Sequence, residues 1–594
     1  MLSRFLQKLN GGIFFLRNSL TPRQFLLISS VIVGLSSGLA VVALKSFAHL
    51  VLVFAKELNQ QLHFKYVDFI LPVFGIVLTI FITKRLLNGK LEKGTWRIIY
   101  AINKKSSIMP RKQMYAQVIT SSVTVGFGGS AGLESPVTIT GAAFGSNYAR
   151  VYKLSTKERT LLLACGVAAG IAAAFNAPIA GVLFTMEVLL ADVGITAFIP
   201  LMLASASGAL LSAAILNESI LLSFKNMAEF EIHNVPFYIV LGVLTGVIAV
   251  YHSRVFNRVE TWMEHWKLKA YQKGIVGALL LSTLIFIFPS LFGEGYDSIR
   301  SLSTEKVFGL LDGTFFESFK QSWFPLLFIG AVIFLKAIAT GLTLGSGGNG
   351  GNFAPSLFVG SYTGFVFAYG WNLTGIGLAL PITNFTMVGM AGLLSGLFHA
   401  PLTAIFLIAE ITGGYGLMIP LMIVSSISFA ISKRYLNHSL DIVKLADEGH
   451  VVRADKDRHI LSSIDSEEIL EETLVVLKPD DTVSTLFLTV QHSSQALIPI
   501  VSDNGILLGI IYLDDLPTIL PVYSSEPNTR LELVMEPIRY SLNPRSTMEQ
   551  VMEMFEHSKL NYLPVIDNDQ VMGFYSKHRL LEAYRNKIME NIVE

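Results

Sequence analysis

Two short segments of the 594-residue chain carry the residue types needed to hold an anion. Gly132-Leu133-Glu134-Ser135-Pro136 is followed by Gly141, and Gly351-Asn352-Phe353-Ala354-Pro355 is followed by Gly360. Both read G-x-x-x-P-x-x-x-x-G and stand 219 residues apart. Glycine lets a backbone turn tightly, and proline suits the first turn of a helix, where its missing N–H costs nothing. Each segment therefore reads as a loop feeding a helix N-terminus, with free N–H groups and a positive partial charge. Two such ends aimed at one point form an anion site without a buried lysine. A small hydrated anion can bind there and still leave, whereas a full cation would hold it too firmly for fast turnover. Glu134 lies inside the first motif, and its carboxylate competes for the same site. Protonated or swung aside, it vacates the site, which makes it a gate sensitive to pH or voltage.

A second pair of matches follows the first. Phe175-Asn176-Ala177-Pro178 precedes Glu187 by the same distance as Phe398-His399-Ala400-Pro401 precedes Glu410, at an offset of 223 residues. Gly166 and Gly389 also correspond. Two matches in one order indicate a duplicated half, and duplicated membrane halves with interrupted helices place substrate at the repeat interface. Glu187 and Glu410 read as structural carboxylates at helix ends rather than as relays. His399 reads as a packed histidine at a helix start.

Composition says where these motifs sit. Apolar residues make up 52% of the chain and charged residues 15%, with mean hydropathy +0.54, which argues against a simple soluble enzyme. Charge is uneven: about 12% over residues 1–450 and about 24% over 451–594. The first part holds long apolar stretches, among them Phe25–Ala55, Val67–Ile82, Phe237–Tyr251, Gly277–Pro289, Phe324–Leu344 and Met418–Ile431. Several reach or approach the roughly 20 residues that span a bilayer. Others are short or broken by Gly and Pro, as tolerated where backbone lines a cavity or lies within protein. Arg4, Lys8, Arg17 and Arg23 precede the first stretch, and a basic loop runs from Lys84 to Lys105. With Lys433 and Arg434 they put the N-terminus, that loop and the soluble tail on the cytoplasmic side. The first stretch reads as an uncleaved helix rather than a signal peptide.

Other classes drop out. Net charge is +1, so no overall polarity points to nucleic acid. The single cysteine, Cys165, excludes a disulfide framework and any cysteine-built metal cluster. No nucleophile–base pair or metal cluster appears, and the twelve histidines are scattered, so neither catalytic nor metal-ligating residues are assigned.

At these motifs the chain resembles the CLC family of voltage-gated chloride channels and chloride/proton exchangers. Gly132–Pro136 is similar to the family's G-x-E-G-P motif, with Ser135 where glycine is usual, and Gly351–Pro355 is similar to its G-x-F-x-P motif. The run from Asn176 to Glu187 resembles the helix that follows the gate. The resemblance implies an all-α polytopic membrane protein built from an inverted repeat with broken helices over residues 1–450. It implies a homodimer in the cell membrane with one pore per subunit. It makes Glu134 the gate, and Gly351, Asn352 and Phe353 the anion-binding loop, with Gly132, Pro136 and Pro355 shaping the pore.

Three positions depart from the family. Its G-S-G-I-P motif falls on Ser106-Ser107-Ile108-Met109-Pro110, keeping serine and proline and making Ser107 the implied hydroxyl donor to the anion. Asp441 aligns with a tyrosine that normally faces the anion, and Tyr435 lies nearby out of register. Val188 takes the place of the glutamate that hands protons inward in exchangers, one position after Glu187. Valine carries no proton, which favours a channel for chloride. A chloride/proton antiporter, or transport of fluoride or nitrate, is the alternative. A nucleotide-sensing protein with a vestigial transport core is a third reading.

The tail repeats as well. Leu477-Lys-Pro-Asp480-Asp-Thr482 and Leu542-Asn-Pro-Arg-Ser546-Thr each open a copy, continuing into an amphipathic helix and then a strand, Ala496–Val501 or Tyr562–Ile566. After a turn come Leu508–Tyr512 and Met572–Ser576, each leading into a helix. The copies resemble a small α/β pair of CBS domains, at 470–525 and 530–594. Such pairs imply an adenine nucleotide (ATP, ADP or AMP) rather than a required cofactor, with Asp515 holding the ribose hydroxyls in the first copy. Arg579 replaces that acceptor in the second. A purely structural or dimerising pair is the alternative. Gly345–Gly351 lacks the Lys-Ser/Thr of a phosphate loop.

Overall fold

The computed structural model describes residues 17, 19–62, 67–89, 91–190, 197–216, 222, 227–303, 323–447, 461, 464–471, 475–492, 495–544, 546–567 and 570–593. The basic residues Arg4, Lys8 and Lys90 lie outside them. The chain divides into two compact units, Met1–Val451 and Val452–Glu594.

The first unit is helical among its described residues. In chain order its first eight helices are α1 Pro22–Leu62, α2 Val67–Leu86, α3 Trp96–Lys104, α4 Gln113–Gly126, α5 Glu134–Val151, α6 Thr156–Phe175, α7 Pro178–Phe184 and α8 Phe198–Leu216. The next eight are α9 Val235–Glu264, α10 Ala270–Ile287, α11 Tyr296–Ser303, α12 Phe324–Gly345, α13 Phe353–Thr374, α14 Ile382–Phe398, α15 Pro401–Thr412 and α16 Met418–Tyr435, followed by the short α17 Val443–Asp447. Each helix of the first set has its counterpart eight places later. Long α1 and α9 open the sets, and short α3 and α11 stand third. Among the described residues, seven helices are long and apolar enough to cross a membrane.

The duplicated motifs explain the duplicated geometry. Helix α6 ends at Asn176 and α14 at His399, each with φ +54° and ψ +39° in the left-handed region. Ala177 or Ala400 follows in extended backbone, and Pro178 or Pro401 then opens the next helix. Such left-handed ends and proline starts break one helix and begin another within two residues. His399 thus closes one helix before the next opens, with its ring edge-on to Phe429.

Helices α5 and α6 make one of the two most extensive contacts of the unit, and α13 and α14 make the other. Both pairs cross on glycine. A Cβ at Gly141 would lie 2.1 Å from the Gly166 carbonyl oxygen, and one at Gly360 would lie 2.5 Å from that of Gly389. Small residues at such crossings let backbones meet in lipid, where no hydrophobic drive exists between helices.

The two carboxylates outside the gate clasp the halves together. Glu187 accepts hydrogen bonds from the Leu402 and Thr403 N–H groups, at 3.2 and 2.8 Å, and from the Thr403 hydroxyl at 2.8 Å. Glu410 accepts from the Ile179 and Ala180 N–H groups at 3.0 and 2.8 Å. Each half therefore caps the short helix of the other, satisfying N–H groups that have no partner in their own helix. This places both residues as helix-end carboxylates.

The second unit holds the tail repeat. Strands β2 Leu497–Val501 and β3 Leu507–Tyr512 pair antiparallel, as do β4 Tyr562–Asp567 and β5 Gln570–Ser576, while β1 Leu470–Glu471 joins β5. In both copies the opening leucine forms a parallel bridge to the first strand, Leu477 to Ile500 and Leu542 to Val565. Equivalent helices follow the hairpins, Leu516–Ser525 and Lys577–Val593.

Candidate functional site

The two glycine–proline motifs meet. Gly132 and Gly351 form a two-residue antiparallel bridge, each N–H donating to the other's carbonyl, at 2.9 and 2.8 Å. Helix α5 starts at Glu134 and α13 at Phe353, so Pro136 and Pro355 each fall in a first turn. The bridge sets these two helix starts side by side. A Cβ at Gly132 would lie 2.9 Å from the Ala354 Cβ and 3.0 Å from its backbone nitrogen, so a side chain there would press on the start of α13.

Glu134 is buried and reaches across the bridge. Its Oε2 accepts from the Ala354 N–H at 3.3 Å, on the first turn of α13. Its Oε1 accepts from the Tyr296 hydroxyl at 2.7 Å. The carboxylate thus occupies the positive end of α13, where a free anion would bind. Beside it, Glu294 accepts from the Leu133 N–H at 3.2 Å. Lys336, fully buried in α12, donates to the Ser130 hydroxyl at 2.9 Å and the Gly293 carbonyl at 3.1 Å, and lies 4.8 Å from the Phe358 ring centroid.

A cavity of about 900 Å³ opens onto the gate. Glu134, Ser135, Gly351, Asn352 and Phe353 line it. Asn352 stands at the position before α13 without a side-chain bond to the helix, and its side-chain oxygen lies 3.4 Å from His252 Nε2. The Phe353 ring packs among Phe175, Phe184 and Phe398, with centroids 5.3 to 6.0 Å away. Phe175 and Phe398 are repeat counterparts, so the duplication supplies apolar wall on both sides. Asp441 also lines the cavity, and Tyr435 is exposed and does not.

The structure does not bring Ser107 to this cavity. Its hydroxyl lies 2.6 Å from that of Thr160, its carbonyl accepts from Ser146, and it is not among the lining residues. The segment that does reach the cavity is Lys93-Gly94-Thr95-Trp96-Arg97, at the start of α3. Ser107 and Pro110 lie in the connection between that helix and α4. Val188 is buried in a π-helical turn, Thr185–Leu189, that ends the short helix α7.

Tyr296, Glu294, Lys336 and Lys93 are the site residues that the motif reading missed. Lys336 had a signal: it is the lone charged residue of the 22-residue apolar helix α12, and an ionisable residue inside a span is functional by default. Gly94-Thr95 before the amphipathic α3 also carried a helix-start signal.

In the tail, Asp515 stands at the start of Leu516–Ser525, half-buried. Arg579, at the matching place in the second copy, pairs with Glu471 at 3.2 Å.

A helical repeat whose two broken-helix starts converge on a carboxylate-filled cavity defines a membrane transport protein for small anions. The voltage gated chloride channel family model matches residues 75–433, and CBS domain models match 466–520 and 532–586. The chain belongs to the CLC family of chloride channels and transporters, with two C-terminal CBS domains. It is 32% identical over 323 residues to the voltage-gated ClC-type chloride channel ClcB of Escherichia coli O81 (strain ED1a), covering 53% of this chain and 71% of that protein. Its fold matches that of a slow cyanobacterial Cl⁻/H⁺ antiporter, with TM-score 0.62, 22% identity, and coverage of 72% of this chain and 99% of that one. A eukaryotic CLC transporter matches with TM-score 0.61, 18% identity and coverage of 96% and 98%. The protein is therefore a multi-pass membrane protein of anion transport, not an enzyme.

Proposed function

We propose that the protein conducts chloride in a channel-like manner, with Glu134 as its gate. One observation carries this reading: the Glu134 carboxylate sits on the first turn of α13, held by the Ala354 N–H and the Tyr296 hydroxyl. Gly351, Asn352 and Phe353 then offer the anion loop that a chloride ion takes when the carboxylate leaves, and Gly132, Pro136 and Pro355 shape it. Val188 supports a passive path, because no side-chain proton acceptor stands at that position. Proton-coupled exchange is the second reading. It is supported by the fold's likeness to the cyanobacterial Cl⁻/H⁺ antiporter and to a CLC-type fluoride/proton antiporter, the latter with TM-score 0.58.

Chloride-loaded liposomes bearing the purified protein, with efflux and external pH recorded together, separate the two. Fast efflux that needs only a potassium shunt and moves no protons is the expected result. Protons driven uphill by the chloride gradient would replace the channel reading by exchange. Failure of chloride, fluoride and nitrate alike to move would sink both.

The same proposal includes a homodimer with one pore per subunit, in the cell membrane. The N-terminus and tail are cytoplasmic, supported by Lys84 and Arg85 at the end of α2 and by Lys433 and Arg434 at the end of α16. It also includes one adenine nucleotide at the first CBS copy, with Asp515 accepting from the ribose hydroxyls. Calorimetry should show weak ATP or AMP binding that disappears in Asp515→Ala; unchanged heats in that variant would remove the site.

A further inference from the structure

The cavity that ends at Glu134 is also lined by Lys93, in the loop before α3. Gly94 next to it has φ +81°, which turns the chain sharply into α3. The Lys93 ammonium donates to the Gly348 carbonyl at 2.7 Å, in the glycine-rich loop that runs into the start of α13. So a cation is tied to the backbone of the anion loop itself. The repeat reinforces the point. Helix α11, the counterpart of α3, begins at Tyr296, the residue that holds the gate. The start of one short helix reaches the gate, and the start of the other supplies a positive charge to the same cavity.

The neighbouring charges are arranged differently. Lys444 on α17 bonds Glu260 and Glu264 of α9 at 2.7 and 3.0 Å. Arg97 bonds Glu92 at 3.0 Å. The Lys93 hydrogen bond goes to a neutral carbonyl, and Lys93 lines the cavity, with Glu260 its strongest opposing charge.

We propose that Lys93 is an anion-binding and affinity-setting residue of the transport path, placed where a neutral hydroxyl donor was expected. An ammonium binds an anion more tightly than a hydroxyl and releases it more slowly. Lys93 thus trades maximal turnover for affinity, and nearby Glu260 moderates the hold. Its charge is also conditional. Burial brings the ammonium down to about 8, only partly opposed by Glu260, with Lys444 and Lys273 lowering it and Glu264 raising it. Glu92 and Arg97 on its own segment, and Glu134 and Asp441 across the cavity, complete the charged groups facing it. The group is mostly protonated at neutral pH and neutral above pH 9, so anion affinity falls as pH on that face rises through about 8.

This inference rests on the anion-transport reading, and the experiment separates the two. Chloride flux is measured in liposomes against chloride concentration, and chloride binding by calorimetry, for wild type, Lys93→Met and Lys93→Arg. Lys93→Met should raise the half-saturating chloride concentration about tenfold or more while maximal flux holds or rises. Lys93→Arg should keep wild-type affinity. The pH profile is taken in a Glu134→Gln background, which removes titration of the gate. There the alkaline fall near pH 8 should persist with Lys93 and vanish with Lys93→Arg, whose charge does not titrate. An unchanged half-saturation in Lys93→Met, or an alkaline fall that survives Lys93→Arg, would overturn the proposal. If Lys93→Met does not fold, the Lys93→Arg profile decides alone. A wild type that moves no chloride, fluoride or nitrate overturns the transport reading instead; calorimetric chloride binding that Lys93→Met leaves unchanged then overturns this one.

Discussion

Glu134→Gln should raise chloride flux at neutral pH about tenfold or more, flatten its pH dependence and abolish any proton coupling. The carboxylate presents two acceptor oxygens, and both are in use, one for the Tyr296 hydroxyl and one for the Ala354 N–H. An amide of the same shape keeps one acceptor and turns the other position into a donor. The amide oxygen can keep the Ala354 N–H and the amide N–H can donate to the Tyr296 hydroxyl, which also accepts, so both contacts survive but neither is charge-assisted. Attraction to the positive end of α13 is lost with the charge. Hydrogen bonds to a charged group are worth about 1.5–3 kcal/mol each. Making both neutral weakens each by about 1 kcal/mol or more, which shifts the gate's occupancy of the site by roughly tenfold to a hundredfold, since each 1.4 kcal/mol is a factor of about ten. Anion efflux from liposomes at pH 5 and pH 8 is the direct measurement. Wild type should be slower at pH 8 than at pH 5, because protonation frees the gate, and the variant should be fast at both. A variant that keeps the wild-type rate and coupling would remove Glu134 from the gate.

The second large effect is on folding. Gly141→Val should leave no monodisperse protein after detergent extraction. The new Cβ would stand 2.1 Å from the Gly166 carbonyl oxygen, and both partners are backbone of buried helices, so no side chain can swing clear. Ordinary overpacking costs about 1–3 kcal/mol because rotamers adjust; here α5 and α6 must separate. Gly389→Val should fail for the same reason, with its Cβ 2.4 Å from the Gly360 carbonyl oxygen. Gly330→Ala is the control. Nothing lies within 4 Å of a Cβ there, and alanine is about 1 kcal/mol better than glycine in a helix. Size-exclusion profiles and melting temperatures of the three variants test this. A Gly141→Val protein that elutes and melts like wild type would mean that the two helices do not cross here.

The sequence makes the duplication readable because the constraints are local. A left-handed helix end followed by an extended residue and a proline start needs a few residues in fixed order, so Asn176–Pro178 and His399–Pro401 stand out. Gly132 and Gly351 stand out by their repeated spacing to a proline, although what crowds them is the other half of the chain, Ala354 against the first and Ser135 against the second. What stayed hidden depends on distance through space. Nothing near Tyr296 in the chain says that its hydroxyl meets a carboxylate 162 residues away. Lys93 was hidden by its company. It sits among seven basic residues between Lys84 and Lys105, and a cluster on that scale reads as a topology signal. Ser107 keeps a serine and a proline at the motif's spacing, but two residues make a weak pattern without the glycines, and its hydroxyl meets that of Thr160 instead. Only the fold tells which of two nearby helix starts faces the cavity. The four repeated strands of the tail were legible, since they are short and apolar, and their bounds shift by one or two residues at most; β1, which has no counterpart in the first copy's pattern, was not.

The exchanged caps of Glu187 and Glu410 bear on how such a chain could arise. Each carboxylate serves the short helix of the opposite half, and the two sets of bonds are equivalent under the repeat. A single ancestral half could not make that bond within itself; it would make it twice, once in each direction, with an identical copy. That is the signature of a self-complementary two-fold interface. On this view the fused protein preserves within one polypeptide the contact surface of a vanished symmetric assembly, and gene fusion relieved its two copies of staying alike. Tyr296 and Lys93, at corresponding short helices, record how far they have since diverged.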